Sequence, residues 1–190
     1  MTGERTECRT WRLSAQYLVL ERVVRILLFA GFTAVGAQLA VRLPFTPVPL
    51  TLQTLFVVMA GIMLGPRDGF YAMVSYVGMG LLGAPIFAGF TFGPAVLFGP
   101  TGGYLLAFPA AALVAGSLSR RLGAGRMAFF SSALAGSAVI LFSGTLYLSV
   151  LAGTSVATAA MAGALPFAAG EIVKAGVAAG GASRKSSGQI

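Results

Sequence analysis

The sequence predicts an all-α integral membrane protein, a compact bundle of about six transmembrane helices with both termini cytoplasmic. Three observations carry that prediction. The chain of 190 residues is 57% hydrophobic and only 9% charged, against about 25% charged residues in an ordinary soluble domain. Its mean hydropathy is +0.87. Its apolar stretches are separated by short breaks, at lengths that suit helices of about 20 residues crossing a bilayer. Residues 1–22 read as a cytoplasmic or interfacial segment, 23–182 as the membrane domain and 183–190 as a cytoplasmic tail. The protein is expected in the cytoplasmic membrane, multi-pass and in contact with membrane lipid.

Composition also excludes functions. A net charge of +8 can suit nucleic acid, but here the basic residues sit at segment ends, where they orient a membrane protein. No nucleic-acid partner is expected. There is no His and one Cys, Cys8, so an intrachain disulfide is impossible and a Cys/His metal site is not expected. No glycine-rich stretch ends in the Lys-Ser/Thr of a phosphate-binding loop, and no nucleophile elbow or zinc-protease motif occurs. Neither catalysis nor a cofactor is expected.

Each element follows from local pattern. In residues 1–22, Trp11, Leu13, Tyr17, Leu18 and Leu20 suit a short helix on the membrane surface, anchored by aromatics. A signal peptide fits poorly, because Glu21, Arg22 and Arg25 interrupt the stretch before the long apolar run. The first span is expected from Val23 to Val41. Its small residues Ala30, Ala34, Gly36, Ala37 and Ala40 permit close helix approach, either within the bundle or onto a partner subunit. Pro44, Pro47 and Pro49 preclude regular helix in the next stretch, since each removes a donor and extends its predecessor. A second span is expected from Leu50 to Leu64, with Thr51 and Gln53 at its start; a Gln there requires a hydrogen-bond partner.

Gly65 to Gly69 reads as a turn, and the third span runs from Phe70 to Leu82 with Ser75 and Tyr76 inside it. Residues 83–99 are broken by Gly83, Pro85, Gly89, Gly93, Pro94 and Gly99, interleaved with Phe87, Phe90, Phe92 and Phe98. Broken backbone at membrane depth survives only where protein or a water-filled cavity covers it, and aromatics beside it can wall a ligand pocket. The fourth span is expected from Gly103 to Leu118, the fifth from Met127 to Leu151, a loop of small residues from Gly153 to Ala164, and the sixth from Pro166 to Ala182.

That last span holds the two ionisable side chains that stand out most. Pro166 fits the first turn of a helix, and Glu171 and Lys174, three residues apart, then share a face. Ionisable groups in a membrane segment are costly and mark a site or pathway; the plain alternative is a surface ion pair with Lys174 snorkelling to the headgroups. With six spans, Arg42 and Lys174 alone among 13 Lys and Arg fall on the outer side, which sets the termini inside. Arg42–Thr51, residues 83–103 and Pro166–Lys174 then converge on one outward pocket. It would be lined by Glu171, Lys174, Gln53, Thr51, Tyr76, Thr101, Tyr104 and aromatic faces such as Phe92. Such a set suits a small, partly apolar ligand with fixed hydrogen-bonding groups. The alternatives of another class are a membrane enzyme or chaperone-like protein acting on lipid.

At Thr46-Pro47-Val48-Pro49-Leu50-Thr51-Leu52-Gln53-Thr54-Leu55 the chain resembles the BioY family, the biotin-binding S components of energy-coupling factor (ECF) vitamin transporters. The resemblance continues through Ala60–Arg67, Gly83–Ala88, Gly99–Tyr104, Leu165–Phe167 and Gly170–Lys174, in order. It implies six membrane helices, capture of biotin from outside, and work with a transmembrane coupling protein and two ATPase subunits. It also implies that Ala30 and Ala34 meet the coupling subunit. Glu171 is expected to accept from biotin's ureido N–H groups and Lys174 to donate to its carbonyl or carboxylate, with Gln53 and Tyr76 completing the bonds. The family usually has Asp where this chain has Glu171, so its contacts, or the vitamin bound, can differ.

Overall fold

The described residues of the computed structural model are 3–44 and 46–186, with side chains for 16–44 and 46–181. Continuous apolar sequence makes the helices, and glycine and proline end them. Helix α1 runs Gly3–Gln38, α2 Gln53–Leu64, α3 Pro66–Leu81, α4 Gly102–Leu122, α5 Arg126–Ala152, α6 Val156–Gly163 and α7 Leu165–Ser186. Two-residue strands β1 (Ala40–Val41) and β2 (Leu50–Thr51) pair antiparallel, with Ala40 opposite Thr51 and Val41 opposite Leu50.

Several expected boundaries need correction. The first span ends at Gln38 rather than Val41, because Ala40 and Val41 leave the helix to pair with β2. Residues 3–22 are not a helix separate from the first span, since α1 is continuous from Gly3 to Gln38. The side chains of Cys8, Trp11, Leu13, Arg184 and Lys185, and residues 187–190, lie outside the described residues. The turn expected over Gly65–Gly69 shrinks to Gly65. Its φ of +88° suits glycine alone at no strain, and Pro66 then opens α3 at a position that needs no donor. The loop expected over Gly153–Ala164 contains α6 instead. Ser155 caps that helix, its Oγ accepting from the Thr158 N–H at 3.2 Å. Pro166 falls within the first turn of α7, as its residue type demands.

Helices α4 and α5 are long and apolar enough to cross a membrane, and α6 with α7 up to Gly181, bent by 49°, makes a third candidate span. The helices α2 and α3, at 12 and 16 residues, are shorter than the roughly 20 that a perpendicular crossing takes.

Three glycines draw α2, α3 and α4 together at the half of the bundle away from the hairpin. A Cβ on Gly61 would sit 2.1 Å from the Ala112 carbonyl oxygen, one on Gly116 2.5 Å from the Gly61 carbonyl oxygen, and one on Gly69 2.7 Å from the Gly61 Cα. Such close backbone approach is the packing that small residues permit in membranes. At the hairpin end a cavity lies between α2, α4, α5 and α7. Helix α7 is turned inside out relative to a water-soluble helix. Its charged Glu171 and Lys174 are buried while Ile172, Val173 and Val177 are exposed, as expected where the surroundings are lipid.

Candidate ligand-binding site

A cavity of about 500 Å³ opens at the hairpin end. Its walls come from the 42–51 hairpin, the N-terminus of α2, the broken 87–101 stretch, and the facing sides of α4, α5 and α7. The apolar walls are Phe87, Phe108, Phe167, Ile140, Leu141 and Val96, and the polar groups cluster at the buried base.

The base is a closed set of short hydrogen bonds. The i, i+3 spacing on α7 puts Lys174 Nζ 2.7 Å from Glu171 Oε1. Thr54 Oγ1, in the first turn of α2, donates to the same Oε1 at 2.7 Å and accepts from Lys174 Nζ at 2.8 Å. Ser137 on α5 donates to Glu171 Oε2 at 2.7 Å. Glu171 and Lys174 are 4% and 7% exposed, so neither is a snorkelling surface group. Each charge is stabilised by the other, Glu171 also by two hydroxyls and Lys174 by one, which is what a buried pair requires to be tolerated. The arrangement leaves capacity in hand. An ammonium has three donors and Lys174 uses two; a carboxylate accepts about four bonds and Glu171 takes three.

A second relay holds the amide. Thr51 Oγ1 donates to Gln53 Oε1 at 3.0 Å, Gln53 Nε2 donates to the Tyr76 hydroxyl at 2.5 Å, and that hydroxyl donates to the Ile86 carbonyl at 3.1 Å. The partner that Gln53 requires is therefore Tyr76. Tyr76 itself is fully buried behind the wall, edge-on to Phe87 at 5.6 Å and stacked with Phe108 at 6.2 Å. It supports the lining without belonging to it.

Thr51, Gln53, Thr101, Tyr104, Glu171 and Lys174 all line the one cavity. Tyr104 is fixed there by donation to the Gly163 carbonyl at 2.8 Å. Phe92 is a correction: it is 57% exposed and outside the lining. The reason is a strand-like bridge between Phe87 and Thr91. Those two face the cavity, and the next side chain along an extended segment points the other way. Phe87 is drawn in because Gly80 has no Cβ, which would lie 2.2 Å from its ring. Ala30 is also corrected as a docking residue. It is fully buried in the core of its own bundle, with Ala34 half-buried against the same core, so no partner can touch the Ala30 side chain in this packing.

Thr54, Ser137, Phe108 and Ile140 are site residues that sequence reasoning passed over, and Arg42, expected only within a converging stretch, lines the cavity itself. Ser137 carried a readable signal, a hydroxyl inside an apolar span that needs a partner. Thr54 is masked by its neighbour Gln53.

A largely apolar cavity over a buried polar base, inside a helical membrane bundle, has the form of a small-molecule site. The chain belongs to the BioY family, whose model matches residues 8–187. It is similar to a probable biotin transporter BioY of Pyrococcus horikoshii, 44% identical over 158 residues that make up 83% of this chain and 91% of the relative. The biotin transporter BioY of Rhizobium etli is 36% identical over 165 residues, 83% of this chain and 88% of that one. That of Thermotoga maritima is 34% identical over 160 residues, 84% and 92% of the two chains. The fold matches the crystal structure of the S-component for biotin from an ECF-type ABC transporter, with a TM-score of 0.84 and 24% identity over 90% of this chain and 93% of that one.

Proposed function

We propose that this protein captures biotin and takes it across the cytoplasmic membrane as the substrate-binding component of an ECF-type transporter. The observation that carries the reading is the buried Glu171–Lys174–Thr54–Ser137 cluster at the base of an apolar cavity, in a chain of the BioY family. Biotin offers two ureido N–H donors, one ureido carbonyl and an apolar bicycle. The spare acceptor capacity of Glu171 suits a ureido N–H, and the spare donor of Lys174 suits the carbonyl. Phe87, Phe108 and Phe167 suit the bicycle. Charge-assisted bonds in a dry pocket favour tight capture, because a ligand lacking the matching groups leaves them unpaired.

In this reading six spans cross the membrane, with α2 and α3 as the short ones and α6 with α7 as one bent span. The membrane domain covers 23–182, flanked by cytoplasmic 1–22 and 183–190, and the cavity opens outward with the Arg42–Thr51 hairpin as its lid. The distribution of Lys and Arg supports that orientation. Energy comes from a transmembrane coupling protein and two ATPase subunits, which agrees with a chain that has no phosphate-binding loop. The protein is a carrier and not an enzyme, with biotin as cargo and no cofactor.

Equilibrium binding to the purified protein tests this, by calorimetry with thiamine and riboflavin as controls. Saturable one-to-one binding of biotin alone is the expected result. Binding of another vitamin instead would keep the class and overturn the substrate.

A further inference from the structure

We infer that Arg42 is the specificity residue for the free carboxylate of the ligand, acting at the mouth of the cavity. The inference rests on the biotin reading and gives a ligand contact to a residue that the reading places only in the lid hairpin.

Three charged side chains line the cavity: Arg42, Glu171 and Lys174. The latter two are buried at the base and pair with each other at 2.7 Å. The cavity therefore carries one net positive charge, and that charge is Arg42. It follows β1 directly, is exposed, and reaches across the mouth to the 87–101 stretch, where a Cβ on Gly89 would lie 3.2 Å from its Nη2. The ion pairs among the described residues are Arg22–Asp68, Arg25–Glu21 and Lys174–Glu171, so Arg42 has no carboxylate within reach there. The sequence has five acidic residues. Of these, Glu4 and Glu7 sit at the far end of α1, more than about 40 Å along the helix from its Gln38 end.

A cavity with a neutralised polar base, an apolar middle and a lone guanidinium at the rim fits one amphiphilic shape. The ligand has an uncharged hydrogen-bonding head, an apolar body and a carboxylate at the end that stays near solvent. Arg presents a planar fork of donors that matches a carboxylate with two parallel bonds. Lys174 is thereby left to the head, because its ammonium is already committed to Glu171 and Thr54 at the base.

The test is binding of biotin and of its uncharged carboxamide to the full-length parent protein and to Arg42→Gln and Arg42→Lys. The parent is expected to prefer biotin. Arg42→Gln is expected to weaken biotin about 10- to 100-fold while leaving the carboxamide within about 2-fold, and Arg42→Lys to recover part of the preference. Arg42 is exposed and outside the core, and thermal melting checks that the variants remain folded. A parent that binds biotin but not in preference to the carboxamide overturns the assignment of Arg42 alone, as does an Arg42→Gln protein that keeps the preference. Equal weakening of both ligands in Arg42→Gln overturns it too, because that is the mark of a structural role. A parent that binds neither ligand overturns the biotin reading and this assignment with it.

Discussion

The two halves of the bundle differ in how α2 meets its neighbours. Around Gly61, Gly69 and Gly116 three helices meet backbone to backbone, with no room for a single added methyl group. About 12 Å further along α2, at Gln53, α2 and α4 join α5 and α7 around a largely apolar cavity of about 500 Å³ with amide, hydroxyl and charged groups at its base. Glycines permit backbone-to-backbone contact at the Gly61 end, while at the cavity end Gly103 and Gly144 instead receive the Tyr147 and Tyr104 side chains. There, short strands, a 3-10 turn over Pro94–Phe98 and positive-φ residues such as Gly89 and Phe90 replace helix. The difference teaches that one bundle can combine backbone-to-backbone helix contact at one end with a cavity at the other whose buried polar groups satisfy one another.

The largest expected effect is at the polar base. Glu171→Ala leaves the Lys174 ammonium buried and unpaired, a loss of the order of 3–5 kcal/mol, seen as a lower melting temperature together with loss of biotin binding. A double variant with Lys174→Met removes the stranded charge and is expected to recover stability but not binding. The packed half comes next. Gly61→Ala forces the α2–α4 crossing apart and is expected to cost roughly 1–3 kcal/mol in melting experiments, with biotin affinity in the folded fraction little changed. If instead Gly61→Ala abolished binding without lowering stability, the division of labour between the halves would be wrong.

Tyr76→Phe removes the acceptor for Gln53 Nε2 and leaves that buried amide short of a partner. The expected cost is about 1–3 kcal/mol, read partly as weaker biotin binding in titration. Smallest in energy is the lid. Hydrogen exchange over residues 42–51 is expected to slow when biotin is present, with the Gly61 crossing equally protected in both states. A hairpin whose exchange does not respond to biotin would remove its role as a lid.

The tight half was barely legible in the sequence. Gly61, Gly69 and Gly116 look like any scattered glycines until the helix crossing is known, because which glycine meets which depends on axis geometry and not on spacing. The polar base was more legible. Glu171 and Lys174 declare themselves by being charged inside an apolar span, and Gln53 by being an amide at the start of one. Their partners were less so: Ser137 is one of several hydroxyls in its apolar span and Thr54 stands beside Gln53, and both matter only because α7 aims Glu171 and Lys174 at them. Phe92 was misassigned for a related reason. Composition places several phenylalanines in the broken stretch, but the Phe87–Thr91 bridge decides which of them faces inward. Helix α6 was missed because small residues read as loop, while the signal that makes it a helix is the single cap at Ser155. The pairing of β1 with β2 is equally invisible, being two residues long and fixed by the prolines between them.

The most direct measurement is a biotin titration of Lys174→Ala against the parent protein under identical conditions. Loss of at least about 100-fold in affinity, with the folded state verified separately, is the predicted result. A Lys174→Ala protein that stays folded and binds biotin as tightly as the parent would contradict the claim that the buried pair reads the ligand.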